Sequence, residues 1–213
     1  MLPEQIISCD WGTSSLRIRL VSLADGKVLA HIFTSDGIAR VAAAWSASQP
    51  LANSKPLFYI NTITEKLAEL PARTSDNVPL LISGMAASTI GFCELGYGKL
   101  PLSLEDPQLI VRQFATGELV QGPVSLVSGL RTGNDVMRGE ETLIVGISPL
   151  DSAMALIILP GTHSKHAVIR EKMVTDFKTF MTGELFSTLR HHTVLKHSMT
   201  PVHSALDPGA FAR

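Results

Sequence analysis

Apolar positions along this chain follow two periods, and the change from one to the other marks its elements. Ile6-Ile7 opens a short apolar run, and beyond a polar hexapeptide Leu16, Ile18 and Leu20 alternate with Arg17 and Arg19. A two-residue period of this kind is a half-buried strand, so the pattern reads strand, polar turn, strand. Asp25-Gly26 supplies a hairpin signal and residues 28–33 a third strand, which makes 5–35 a meander. The period then lengthens. After a loop at 36–39 a short helix is expected over 40–48, followed by a polar turn at 49–55. Leu57, Ile60, Ile63, Leu67 and Leu70 recur at helical spacing, and Pro71 with the polar run 73–77 ends that helix.

Residues 78–82 form a continuous apolar run that reads as a buried strand feeding Ser83-Gly84-Met85. Ligands gather at the carboxyl ends of such strands in α/β folds. Residues 91–107 read as a loop over a cleft, 109–114 and 124–127 as strands, and 128–134 as a loop. A helix is expected over 135–146 with Asn134 or Asp135 as its N-cap. Strands alternating with helices indicate a mixed α/β fold.

The opening pattern returns late in the chain. Ala155 to Leu159 is an apolar run that enters Pro160-Gly161-Thr162-His163-Ser164-Lys165, and strand-like segments follow on both sides of a turn at Glu171-Lys172. Gly-Thr-x-Ser therefore occurs twice, each time between the first two strands of a meander. A repeat of this kind implies two related lobes, each offering a hairpin turn to a shared cleft. A helix is expected over 182–195, with Thr182 as its cap, and residues 204–213 read as a link into something further.

Composition narrows the class. Hydrophobic residues make up 45% and charged residues 17% of 213, with a net charge of −1, as in a globular protein. Without a basic stripe, and with aromatic residues at 6%, a nucleic-acid partner is not expected. No apolar run approaches the ~18 residues of a membrane span, and no leader pattern is visible, so a cytoplasmic protein is expected. Cys9 and Cys93 lie in apolar surroundings and are read as reduced thiols.

The turns carry the candidate chemistry. Asp10-Trp11-Gly12-Thr13-Ser14-Ser15 places a carboxylate at a strand end, followed by a flexible Gly and hydroxyls. A carboxylate there can hold Mg²⁺ through water, and hydroxyls and backbone N–H groups can cradle phosphate oxygens. The plain alternative is an ordinary Asx/Gly turn. Asn134-Asp135-Val136-Met137-Arg138-Gly139-Glu140-Glu141 puts an acid where it could take a proton from a substrate hydroxyl. Its plain alternative is a capping Asp followed by solvated glutamates, with Arg138 and Glu141 as a surface ion pair. His191, His192 and His197 are not expected to bind metal, and Trp11 reads as packing.

Phosphate-type hairpin, acid-start helix and second phosphate-type hairpin, in that order, resemble the superfamily of acetate and sugar kinases, Hsp70 and actin. Asp10 to Ser14, Ser83-Gly84-Met85, the segment from Asp135 to Thr142, Leu159 to Lys165 and Phe180-Met181-Thr182-Gly183-Glu184-Leu185 together resemble the 2-dehydro-3-deoxygalactonokinase family. The resemblance implies an α/β, actin-like ATPase (ribonuclease H-like) fold of two related lobes. Residues 1–147 would be the sugar-binding lobe with the first phosphate motif. Residues 148–213 would begin the nucleotide-binding lobe, which is expected to be incomplete because no Gly-rich adenosine turn follows Phe180.

The resemblance also implies transfer of the ATP γ-phosphate to the 6-hydroxyl of 2-dehydro-3-deoxy-D-galactonate, in galactonate catabolism, with ATP and Mg²⁺ as cofactors. Asp10 would organise the metal. Gly12, Thr13 and Ser14 would grip one side of the phosphate chain, and Gly161, Thr162, Ser164 and Lys165 the other. Asp135 would be the base. Ser83, Gly84, Arg131 and Arg138 would meet the substrate, with Asp36-Gly37 as further wall. The expected partner is a small sugar acid, with self-association open. The competing reading is an inactive actin-fold module that binds the sugar acid or a protein. A third is a phosphatase-like relative using the same cleft.

Overall fold

A computed structural model of the chain describes residues 3–48, 55–70, 77–114, 122–147 and 152–198. Strands β1 (Gln5–Trp11), β2 (Leu16–Ser22) and β3 (Val28–Thr34) form the expected meander. Ile7, Cys9 and Trp11 on β1 and Leu16, Ile18 and Leu20 on β2 are buried, as the alternation requires. β4 (Leu80–Gly84) lies parallel to β1, and β8 (Val124–Val127) parallel to β4, with β7 (Val111–Phe114) antiparallel at the edge. The first sheet thus has the order β3-β2-β1-β4-β8-β7.

Helices α1 (Ile38–Ala47) and α2 (Lys55–Ala68) complete the first core with Ile38, Val41, Tyr59, Ile60 and Ile63. Trp11 is fully buried there, tilted against Tyr59 at 5.8 Å, and its indole N–H donates to the Asp36 carbonyl at 2.8 Å. The expected packing role of Trp11 is therefore its observed one. The expected turn at 49–55 falls almost wholly outside the described residues, as do the helix-ending run after Leu70 and the link at 204–213.

Strands β11 (Met154–Leu159), β12 (Ser164–Arg170) and β13 (Met173–Phe180) form the second meander, joined at its far edge by β6 (Leu102–Ser103). The two meanders share a detail. β2 and β3 slip register between Leu20 and Val21, and β12 and β13 slip between Val168 and Ile169, in both cases between the fifth and sixth residues of the second strand. A second core joins Ala167, Ile169, Val174 and Phe177 to Leu102, Leu104, Leu130, Met137 and Ile144, so it draws on segments before residue 147.

Two expectations need correction. Residues 91–107 are not simply a loop, because they contain β5 (Gly98–Lys99) and β6. The helix expected over 135–146 starts only at Glu140: β9 (Leu130–Arg131) pairs antiparallel with β10 (Val136–Met137), and α3 spans Glu140–Gly146. Gly139 has φ 101°, outside helical geometry, so a helix cannot run through it. Asp135 is accordingly a turn residue, not a helix cap. α4 (Thr182–His192) takes Met181 rather than Thr182 as its N-cap, the Thr182 hydroxyl turning to Ser164 instead, and it stops three residues earlier than expected, before a short 3₁₀ turn at Val194–His197.

Candidate functional site

The carboxyl ends of β1 and β4 set the floor of the site. Asp10 pairs in register with Ser83, and Trp11 with Gly84, so the acid, the buried serine and the glycine sit side by side. Alternation turns Asp10 to the face opposite Cys9 and Trp11, leaving its side chain partly open. Its Oδ2 accepts from Arg17 at 3.0 Å, and Oδ1 accepts no hydrogen bond among the described residues. The Cys9 thiol beside it is fully buried; burial, with the Asp10 charge adding, raises its pKa and leaves it an inert neutral group.

The first hairpin turn is fixed by helix α1. The Ile38 and Ala39 N–H groups donate to the Gly12 and Thr13 carbonyls at 3.0 and 3.1 Å, and Gly12 N–H donates to Ser15 O at 2.9 Å. With the backbone so held, Thr13 and Ser14 point outward as exposed hydroxyls without a side-chain partner among the described residues. In the second turn the Ser164 hydroxyl accepts from the Gly161 N–H at 3.3 Å and contacts the Thr182 hydroxyl. The Glu184 N–H at the start of α4 donates to Thr162 O at 3.0 Å. Ser164 is therefore an internal brace, while Gly161 and Thr162 are exposed.

The segment that joins the two turns is Arg138 to Glu141. Gly139 rests on Gly84: a Cβ at 139 would lie 3.0 Å from the Gly84 Cα and 4.0 Å from Asp10 Oδ1. The Gly139 N–H donates to both carboxylate oxygens of Glu141 at 2.9 and 2.8 Å. Next to it, Glu140 Oε1 lies 3.7 Å from Lys165 Nζ, and that lysine is buried at the head of β12. The first hairpin's acid and the second hairpin's cation thus converge on Gly139-Glu140.

Glu141 is fully buried, against the expectation of solvated glutamates. Burial pushes its carboxyl from the usual 4.5 up to about 8, while its own N–H and that of Gly139 pull it down; the Glu140 charge adds to the rise and Arg138 offsets it. The folded state therefore holds this proton more tightly than the unfolded state. Its stabilising effect is complete below pH 4.5 and is lost as pH rises to about 8. The slope approaches about 1.4 kcal/mol per pH unit at most. Denaturant titrations between those limits should show stability falling with pH, and Glu141→Gln should flatten that fall. An unchanged slope in the variant would show that another group carries it.

Asp135 is half-buried in the turn between β9 and β10, against β13 of the second meander. Its Oδ2 accepts from the Thr179 N–H at 2.6 Å, and Oδ1 accepts from the Thr179 hydroxyl and the Val136 N–H, each at 2.7 Å. Arg138 stacks on Tyr97 at 4.2 Å, donates to the Tyr97 hydroxyl at 2.7 Å and contacts the Ala87 carbonyl. It forms no ion pair with Glu141. Arg131 is exposed in a cleft it shares with Lys99, Thr132 and Thr175, of which Asp10 is not a lining residue.

The site thus gathers Asp10, Ser83, Gly84, the exposed Thr13 and Ser14, and Lys165, and leaves Arg131 apart. Sequence reasoning missed Glu140, Glu141 and Thr179 as site-builders. The doubled acid after a glycine was the available signal for the first two; Thr179 carried none. No group of three or more His, Cys, Asp or Glu side chains could hold a metal among the described residues. A divalent cation would take Asp10 as its one carboxylate and keep most of its waters, the habit of Mg²⁺, and the open Oδ1 suits that.

The family model for 2-keto-3-deoxy-galactonokinase matches residues 10–213. A Rhizobium meliloti (strain 1021) protein named probable 2-dehydro-3-deoxygalactonokinase is 35% identical over 89% of this chain and 58% of its own length. The 2-dehydro-3-deoxygalactonokinase of Escherichia coli (strain K12) is 25% identical over 97% of this chain and 63% of its own. A crystal structure from Sinorhizobium meliloti that bears the same enzyme name superposes with a TM-score of 0.72 at 29% identity, over 93% of this chain and 60% of that one. The chain spans about three fifths of the length of these relatives. With the family match running from Asp10 through both hairpins, the chain belongs to the 2-keto-3-deoxy-galactonokinase family.

Proposed function

We propose that this chain carries the phosphate-gripping and acid-bearing part of an actin-fold sugar-acid kinase. The reaction is transfer of the ATP γ-phosphate to the 6-hydroxyl of 2-dehydro-3-deoxy-D-galactonate. One observation supports this above others: two matched hairpin turns, one entered from an acid and the other leading into a buried lysine, converge on a single segment, Gly139-Glu140. Phosphoryl transfer asks for positioning and charge neutralisation more than covalent chemistry, and these residues supply both.

Asp10 would hold Mg²⁺ through its open oxygen. That ion, when bound, neutralises charge on the phosphate chain. Thr13 and Ser14 present hydroxyls to one side of the chain. Gly161 and Thr162 present backbone and hydroxyl to the other, and Lys165 places a fixed positive charge beneath them. Asp135 takes the proton of the attacking hydroxyl on a carboxylate oxygen. Ser83 and Gly84 form the wall beside Asp10. Arg138 shapes that wall through Tyr97 and Ala87, while Arg131, in its own cleft, is given no contact with the substrate.

A coupled assay of ADP release by the 213-residue chain, with and without 2-dehydro-3-deoxygalactonate, tests the reading. Sugar-dependent release is expected. A second reading, a module that binds the sugar acid without turning it over, draws on the chain's spanning only 58% of its Rhizobium meliloti relative. No release together with calorimetric sugar binding would favour it. Phosphate release without sugar would instead indicate a hydrolase.

A further inference from the structure

Strands β5 and β9 pair in parallel, with Gly98 beside Leu130 and Lys99 beside Arg131. Gly98 and Leu130 are buried, so the two cations stand together on the outer face of this small sheet. Paired strands lie about 4.8 Å apart, and like charges side by side at that range repel. Arg17, Arg40, Lys66 and Lys165 each meet a carboxylate. Lys99 and Arg131 make no hydrogen bond, ion pair or ring contact through their side chains among the described residues.

The pair opens into a cleft of about 480 Å³, within the roughly 300–1,000 Å³ of small-molecule sites. Thr132 and Gly133 line it from the β9–β10 turn, and Thr175 and Asp176 from β13. The Gly133 N–H has no partner among the described residues and is a further donor. Asp176 is the one carboxylate among the described lining residues. Its Oδ1 accepts from the Phe177 N–H at 2.9 Å, and it pairs with neither cation. None of Asp10, Thr13, Ser14, Gly161, Thr162 or Lys165 lines this cleft. It does adjoin Asp135, because the Thr132 N–H donates to the Asp135 carbonyl at 2.9 Å and the Thr132 hydroxyl accepts from the Asp135 N–H at 3.0 Å.

We propose that this cleft binds a sugar phosphate, a phosphate monoester carried on a hydroxylated chain, at a site separate from the phosphate-gripping turns. Arg131 takes phosphate oxygens with its planar fork, and Lys99 adds a point charge beside it. A monoester carries a charge of about −1.5 to −2 at neutral pH, which neutralises the two cations that otherwise face each other. Asp176 repels a ligand that is anionic along its whole length and accepts from the hydroxyls of a neutral tail. The cleft therefore favours a monoester with a hydroxylated tail over a polyphosphate. A ligand gripped at Arg131 and Gly133 rests on the turn that holds Asp135, which makes this an effector site. The inference goes beyond the kinase reading and does not depend on it.

The test titrates the 213-residue chain with glucose 6-phosphate and follows its amide chemical shifts. Saturable shifts are expected at residues 99, 131–133 and 175–176 by about 10 mM, and none with glucose. Lys99→Gln and Arg131→Gln should each weaken binding at least about tenfold. Both side chains are exposed, so circular dichroism should not change. Inorganic phosphate, which has no tail for Asp176, should bind at least about tenfold more weakly. Several results would overturn the proposal. Shifts absent from these amides, or confined to 12–15 and 160–164, would leave the cleft without a ligand of this class. Phosphate binding as tightly as the sugar phosphate would make the free ion the ligand. Gluconate binding equally well, or loss of 2-dehydro-3-deoxygalactonate binding in Arg131→Gln, would make the cleft part of the sugar-acid site. The readout is binding, so a chain that fails to release ADP still tests it.

Discussion

Asp135→Asn should lower sugar-dependent ADP release by about 10²- to 10⁴-fold, the range for removing a general base. The carboxylate is half-buried and oriented by three donors, two of them from Thr179 on β13. Those donors aim it, and they also make it a clasp, so the loss alone would not distinguish the two roles. Thr179→Val separates them. It deletes the hydroxyl bond to Oδ1 and keeps the N–H bond to Oδ2, weakening the clasp while leaving a carboxylate in place. The valine variant should lose about 1–3 kcal/mol of stability and keep turnover within about tenfold of the parent. Equal losses of turnover in both variants would make Asp135 a clasp between the β9–β10 turn and β13 and remove it from the chemistry. Sugar binding, measured by calorimetry, should change little in Asp135→Asn.

The second large effect is on folding. Gly84→Ala should cost about 3 kcal/mol or more, read by denaturant titration. Gly84 has φ 88° and ψ −148°, a region open essentially to glycine alone. Its Cβ would lie 2.7 Å from the Trp11 carbonyl oxygen, and a backbone atom cannot swing aside as a side chain would. The Gly84 Cα also supports Gly139 from below, so movement at 84 carries through to the segment bearing Glu140 and Glu141. The variant should therefore lose nucleotide affinity along with stability. A loss below about 1 kcal/mol would show that the β1–β4 junction yields more readily than its contacts require.

Much of the architecture was legible because it depends on near neighbours in the chain. The alternation of Leu16, Ile18 and Leu20 with arginines is a statement about one strand's two faces, and Asp25-Gly26 is a statement about one turn. The repeated Gly-Thr-x-Ser was visible for the same reason, and each copy stands in a three-stranded meander with a register slip at the same place, after Leu20 and after Val168. Asp10 and Ser83-Gly84 were each picked out singly; that they lie side by side follows from the parallel pairing of β1 with β4.

The acidic segment was misread where local signals compete. Asp135 followed by Glu140 and Glu141 has the composition of a helix start, and nothing nearby shows that Gly139 must bend. The bend is imposed by Gly84, more than fifty residues earlier, on which Gly139 packs. Arg138 had the spacing of a surface ion pair with Glu141. Tyr97 and the Ala87 carbonyl, both distant in sequence, take its guanidinium instead.

Sequence by itself thus determined the periods, the turns, the repeat and the residue types that a phosphate-handling cleft requires, since each rests on interactions within a few residues. Tertiary structure alone decided which of those residues meet. It buried Glu141 under Gly139, set Lys165 opposite Glu140, clasped Asp135 to Thr179 and left Arg131 in another cleft. The physical reason is the same throughout: alternation says that a strand has an apolar side, but burial, ion pairing and proton affinity depend on what packs against it from far along the chain.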